Sequence, residues 1–335
     1  MSVLTGLEVL LSEGLPWGAA RLGMLTHRAA VTIDGQPGWV ALLAAGARVE
    51  RLFSPEHGLA TAAGAGEPVA DGHDPFTGLP VVSLYNERRQ PGPEDLDGLD
   101  ALVIDLQDVG ARCYTYSASM AQSLEAAARA GLPTWLLDRP NPVTGLHPEG
   151  AIPEAGLRSF VGWLPVPMRH GLTMGELARL AAPPNLDLRV VRLQGWRRDC
   201  WWDATGRPWV PPSPAMVSPE VALAYAGTVL LEATAWETGR GTPEPFRTVG
   251  GERAIRVEWE DRDSFRPVAA GIRLLARLCA EEGCRWSSPD HLDRLFGSDR
   301  LRRVLESGAS VEPLIEEAAA SGAAFASATA AHLLY

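Results

Sequence analysis

The chain has 335 residues, 46% of them hydrophobic, and a formal charge of −11. It is long enough to bury two cores, and its charge argues against a nucleic-acid surface, which needs a local excess of basic groups. All 30 basic side chains are arginine, which excludes chemistries built on a lysine amine: pyridoxal-phosphate Schiff bases, lysine aldolases and Walker-type phosphate loops.

No stretch reaches the about 18 consecutive apolar residues of a membrane span, and the start MSVLTGLEVLLSEG carries acids where a secretion signal carries bases. The expectation is a cytoplasmic protein without membrane insertion. Short apolar runs then recur, each closing in a polar loop: RLGMLTH, VERLFSPEHG, LPVVSLYNE, ALVIDLQDVG and TWLLDRPNP. Segments of helical composition lie between several of them, such as GWVALLAAG and the stretch 117–131, which ends in the capping glycine Gly131. Strand, helix, strand at this rhythm predicts a Rossmann-like parallel sheet covered on both faces. No G-x-G-x-x-G follows any strand and no G-x-S-x-G elbow is present, so neither a dinucleotide nor a serine nucleophile is expected.

Near residue 180 the texture changes to proline and tryptophan, with the strand LRVVRL inside it, then AIRVEWE, the helical PVAAGIRLLARLCAEEG and a last helix from Val311. This predicts a first domain over 1–180 and a smaller α+β domain over 181–335. Trp196, Trp201, Trp202 and Trp209 read either as a stacking surface for sugar rings or as a small core under the loop 195–219. The four cysteines, Cys113, Cys200, Cys279 and Cys284, show no C-x-x-C pair, and the seven histidines no H-E-x-x-H. No metal or other cofactor is expected, although a site assembled from distant loops around His57, His170 and the aspartates stays open.

In an open α/β sheet, ligands bind beyond the carboxyl ends of the strands. Those ends supply Glu56 and His57, then Asp105, Gln107 and Asp108, then Asp138, Arg139 and Asn141. Capping and turn formation are the competing reading of each.

Several stretches together resemble the exo-β-N-acetylmuramidases, NamZ-like peptidoglycan hydrolases long catalogued as a domain of unknown function. They are LFSPEHGL, TGLPVVSLY, DLQDVGARCYTY, LDRPNP, SFVG with PVPMRHGLTMGELA, PWVPPSPAM, LEAT with GRGTPEPF, and the closing HLLY, in the family's order along nearly the whole chain. The resemblance implies release of a terminal β-1,4-linked N-acetylmuramic acid from peptidoglycan-derived saccharides in a cleft between a Rossmann-like and a smaller domain. It sets no oligomeric state. Departures stand out: Ala233 where the family usually has Gly, Ala235 where it usually has Asn, Glu237 where a serine is common, and His27 where it tends to have Asn. The two lost amides, at Ala235 and His27, motivate the alternative of a sugar-binding protein that has lost catalysis.

Most glycosidases use two carboxyl groups around an oxocarbenium-like transition state. Glu56 and Glu232, one in each domain at the end of an apolar run, are the catalytic candidates, with Asp105 and Asp108 as reserves. The lactyl carboxylate of muramic acid calls for a guanidinium. Arg240, framed by Gly239 and Gly241 and followed by Thr242, fits, and Arg112, Arg139 and Arg169 compete with it. Tyr114, Tyr116 and His170 are candidates to orient hydroxyls, and each has an ordinary core or helix-start reading beside it.

Overall fold

A computed structural model describes residues 2–335. Helix α1 (Gly6–Glu13) begins at a reciprocal cap in which Thr5 Oγ1 accepts the Glu8 amide and the Glu8 carboxylate accepts the Thr5 amide at 2.8 Å. Strand β1 (Arg21–Thr26) follows, then α2 (Gly38–Ala44), β2 (Arg48–Ser54), the two-residue β3 (Gly72–His73), β4 (Pro80–Ser83), α3 (Pro93–Leu96) and β5 (Ala101–Asp105). Helix α4 (Tyr116–Ala130) ends on Gly131 at φ +66° and leads to β6 (Thr134–Leu137), α5 (Met174–Ala181) and β7 (Leu188–Val191).

The seven strands form one sheet in the order β3-β4-β2-β1-β5-β6-β7, parallel except for the β3 edge. The chain winds outward from β1 to β4 and returns to the other side at β5, so the strand order reverses between β1 and β5. β7 pairs with β6 in parallel, Leu188 opposite Thr134. LRVVRL, beyond the expected boundary at residue 180, completes the sheet that begins with β1, because its hydrogen-bonding partner is β6.

The smaller lobe holds α6 (Pro219–Thr228), a 3₁₀ turn over Val229–Ala233, the ribbon of β8 (Thr248–Val249) and β9 (Ile255–Arg256), then α7 (Pro267–Glu282), α8 (Pro289–Phe296), α9 (Arg300–Ser307) and α10 (Glu312–Ala328). AIRVEWE contributes only Ile255 and Arg256 to that ribbon. α6 and α7 pack backbone to backbone at Gly227 and Gly271: a Cβ on Gly227 would lie 1.8 Å from the Pro267 carbonyl oxygen. Glycine is required there by space alone.

One apolar cluster runs through both lobes, from Leu25, Phe53 and Ile104 in the sheet through Tyr114 and Tyr225 to Leu231, Leu275 and Leu292. A second cluster, with Leu22, Trp39 and Leu52, covers the other face of the sheet. Arg112 donates from the first lobe to the Leu295 carbonyl in α8, and the last residue, Tyr335, donates its hydroxyl to Asp138 at 2.7 Å. The lobes thus share a core and are tied at both ends. Among the described residues no helix is long and apolar enough to cross a membrane.

The tryptophans take the core reading. Trp201 Nε1 donates to Asp263 at 2.9 Å, Trp209 Nε1 to the Met216 carbonyl at 2.8 Å, and Trp202 meets Trp209 edge to face at 5.0 Å. Trp196 packs with Val3, Leu193 and Tyr335.

Candidate active site

A cleft of about 720 Å³ opens between the lobes, beyond the carboxyl ends of β2 and β4. From the first lobe it is lined by Glu56, His57, Tyr85, Arg89, Tyr114, Thr115 and Phe160, and from the second by Tyr225, Glu232, Trp236, Glu237, Arg240 and His291. This volume lies in the range of ordinary small-ligand sites.

Glu56 sits two residues past β2 and is buried, at 6% exposure. Its Oε1 accepts the Gly66 amide at 2.8 Å and its Oε2 accepts the Thr115 hydroxyl at 2.6 Å, while the Tyr85 phenol lies within hydrogen-bonding reach. The chain turns sharply behind it, with His57 in the left-handed region at φ +70° and Gly58 at +72°. A non-glycine residue held there is strained backbone that the surroundings must impose. His57 Nδ1 faces the Ala63 carbonyl at 2.8 Å, so Nδ1 carries the proton and Nε2 is left with its lone pair. Burial lowers the His57 pKa, partly opposed by Glu56.

Glu232 rises from the 3₁₀ turn that follows α6. Arg240 donates to its Oε1 through Nε at 2.9 Å and through Nη2 as well. Burial works against the charge on Arg240, yet Glu232 beside it brings the net guanidinium pKa above its ordinary value. The loop that carries Arg240 depends on Gly239, at φ +71°, where a Cβ would lie 2.2 Å from the Thr248 carbonyl. Arg240 also stacks on the buried Phe246 ring at 4.8 Å. His291 is held below its ordinary pKa by burial, with Glu232 opposing. Cys113 lines the cleft as a thiol rather than a thiolate, since burial pushes its pKa up to about 12.

Of the residues singled out from the sequence, Glu56, His57, Tyr114, Glu232 and Arg240 meet in this cleft. The others are consumed by the fold. Asp105 has no exposed surface and pairs with Arg139, Nη2 to Oδ2 at 2.9 Å, so neither is open to a substrate. Gln107 donates to the Asp108 and Pro140 carbonyls. Asp108 accepts the Gly110 amide at 2.7 Å and the His170 Nε2–H at 3.2 Å, while His170 Nδ1 accepts the Leu172 amide. Arg112 donates to the Ala151, Val166 and Leu295 carbonyls, and Asn141 to the Leu172 carbonyl. Arg169 donates to the Val143 carbonyl. Tyr116 donates to the Pro212 carbonyl, and Thr242 closes a turn on the Gly239 carbonyl. Most of these bonds go to buried backbone carbonyls and amides, although Gln107 Oε1, Asp108 Oδ1, Arg112 Nε and two nitrogens of Arg169 keep no partner among the described residues.

Sequence reading passed over Tyr85, Arg89, Thr115, Phe160, Trp236, Glu237 and His291. Tyr85 was within reach of the strand-end rule, since it closes the run LPVVSLY. Thr115 stands between two tyrosines that were chosen. His291 had no local signal: only the packing of α8 against the 3₁₀ turn brings it to the cleft. The two lost amides fall elsewhere. His27 is fully buried against the Tyr116 ring, with Nε2 accepting the Gln107 amide at 3.0 Å. Ala235 is exposed and outside the cleft. Among the described residues no group of three or more His, Cys, Asp and Glu side chains is placed to hold a metal ion.

Two family models cover most of the chain: the N-terminal model described as exo-beta-N-acetylmuramidase NamZ matches residues 22–220, and the C-terminal model of the same description matches 252–335. The peptidoglycan beta-N-acetylmuramidase NamZ of Bacillus subtilis (strain 168) is 35% identical, the alignment covering 93% of this chain and 86% of that protein. The crystal structure of a DUF1343 family protein from Bacteroides fragilis NCTC 9343 superposes with a TM-score of 0.91 at 27% identity, covering 100% of this chain and 99% of the other. A second DUF1343 family structure from the same strain, at 24% identity and a TM-score of 0.80, shares the fold over 100% of this chain and 99% of its own.

Proposed function

Because the chain belongs to the exo-beta-N-acetylmuramidase NamZ family, we propose that it is a glycoside hydrolase releasing terminal N-acetylmuramic acid from peptidoglycan chains or fragments, with Glu56 and Glu232 as its two working carboxyl groups. The observation that carries this reading is that these two side chains, from separate lobes, line one cleft.

Their surroundings divide the roles. Glu56 is held by the Gly66 amide on one oxygen and by the Thr115 hydroxyl, which rotates and can donate or accept, on the other. A hydroxyl partner serves a carboxyl group before and after it passes a proton to the glycosidic oxygen. Glu232 is held by a guanidinium, which only donates. It is the group to face the positive charge that builds at the anomeric carbon, directly or through a water. The buried aromatic side chains Tyr114 and Tyr225 form the cleft floor and keep bulk water from the reacting atoms.

The alternative of a sugar-binding protein without catalysis draws on Ala235 and His27, and both lie outside the cleft, whereas the departure at Glu237 lines it. Turnover of a chromogenic β-N-acetylmuramide tests the proposal. Glu56→Gln and Glu232→Gln each lower kcat by about 10²–10⁴-fold with an unchanged circular dichroism spectrum. An unmodified protein that binds the sugar without cleaving it, or an Glu56→Gln variant of full activity, overturns it.

A further inference from the structure

Two guanidinium groups line the cleft, and they differ in how their charge is met. Arg240 turns its Nε and Nη2 edge to Glu232, so its two-pronged face is already engaged. Arg89 has no carboxylate partner among the described residues: its Nη1 donates to the Asn86 and Arg88 carbonyls of its own turn, which fixes the side chain without neutralising it. The contrast with its neighbour is sharp, since Arg88 is paired with both Asp71 and Asp95. The Arg89 guanidinium carbon lies over the Tyr85 ring at 4.3 Å and beside the Phe160 ring at 5.5 Å. Cation–π contact with two rings holds the group in place while its Nε and Nη2 donors keep no protein partner among the described residues.

Position supplies the rest. Tyr85 carries Arg89 on its ring face and lines the same cleft as Glu56, so the charged group and the proposed proton donor face one space. Phe160 and Val161 add an apolar wall beside the guanidinium. The lactyl arm of muramic acid is an ether on the sugar ring that bears a methyl group and a carboxylate side by side, and the carboxylate is a planar acceptor that suits an arginine edge.

We propose that Arg89, with the wall of Tyr85, Phe160 and Val161, is the subsite that recognises the free lactyl carboxylate and so selects N-acetylmuramic acid over uncharged N-acetylhexosamines. This rests on the muramidase reading of the same cleft and assigns to Arg89 a part that the sequence pointed to Arg240 for. Arg240 serves the reacting centre through Glu232, whereas Arg89 serves recognition.

Binding, measured without turnover, tests it. N-acetylmuramic acid, its lactyl amide and N-acetylglucosamine are each titrated calorimetrically into the full-length protein and into the Arg89→Gln and Arg89→Lys variants. Loss of a charge-assisted pair is worth about 10–100-fold in affinity. The unmodified protein is expected to prefer the acid over the amide by that factor, with the preference shrinking as salt is raised. Arg89→Gln loses the preference while binding the amide and N-acetylglucosamine as before, and Arg89→Lys keeps part of it. An Arg89→Gln variant that retains the preference overturns the assignment. So does one that weakens all three sugars alike, which would mark the residue as structural, and so does an unmodified protein that does not tell acid from amide. If the preference follows Arg89 but no muramide is ever cleaved, the hydrolase reading falls and the recognition subsite stands.

Discussion

Arg240 donates through Nε to Glu232 at 2.9 Å across eight residues of one loop. The guanidinium framed by Gly239 and Gly241 is thereby bound to the protein's own carboxylate, and its effect on the reaction runs through that oxygen. Arg240→Gln is expected to lower kcat about 10–100-fold, the scale of a lost hydrogen bond to a charged group, with KM for a muramide changed far less. Arg240→Lys should recover part of the rate. Steady-state kinetics on a chromogenic substrate separates the two constants, and a change confined to KM would contradict the assignment.

Thr115 occupies the position before α4, yet its hydroxyl makes no capping bond and goes to Glu56 at 2.6 Å instead. Thr115→Val keeps the shape and removes only that donor. The expected result is about a tenfold fall in kcat, equivalent to ~1.4 kcal/mol of barrier, with a thermal midpoint close to that of the unmodified protein. A large fall in the midpoint with unchanged kcat would show the threonine to be structural.

Asp105 and Arg139 form a buried pair at the carboxyl end of β5, and Arg139 also donates to the Val31 carbonyl at 2.9 Å. Removing one partner leaves the other charge buried and unmatched, so Asp105→Asn should cost about 3–5 kcal/mol in urea denaturation. The folded fraction of the variant should retain the kcat of the unmodified protein. A variant of normal stability and no activity would restore Asp105 to the catalytic candidates.

His27 gives a pH dependence of stability. Burial, with Arg139 adding, lowers its pKa well below 6.5, and Nε2 must stay unprotonated to accept the Gln107 amide. As pH falls through 6.5 the unfolded chain takes up a proton that the folded chain refuses, so stability is present above that pH and is lost progressively below it. Replacing the ring by an amide, His27→Asn, should flatten the slope of denaturation free energy against pH between about 5 and 6.5. The measurement is a set of urea midpoints across that window, and an unchanged slope would exclude His27 as its source.

Much of this architecture is legible before any coordinates. Apolar runs ending in polar loops announce the parallel sheet, and Glu56 stands two residues past one of them because that is where the chain leaves β2 for the ligand side. The same rule proposed Asp105, Gln107 and Asn141, which lie outside the lining of the cleft. A polar side chain at a strand end either faces a ligand or satisfies nearby backbone, and those two outcomes have the same local sequence. LRVVRL shows the parallel limit for domain limits: its composition marks a strand, but only the vacant edge of β6 decides which lobe receives it.

By itself the sequence determined the α/β class, the absence of lysine chemistry, the family, and two of the carboxyl groups in the cleft. The first two rest on residue type and local spacing, and the family and the two carboxyl groups on motifs that recur in order along nearly the whole chain. Tertiary structure decided which arginine is open and which is engaged, that Thr115 and the Gly66 amide hold Glu56, and that α8 brings His291 within the same walls. Charge pairing and burial depend on groups far apart in the chain, and no local pattern encodes who will be nearest.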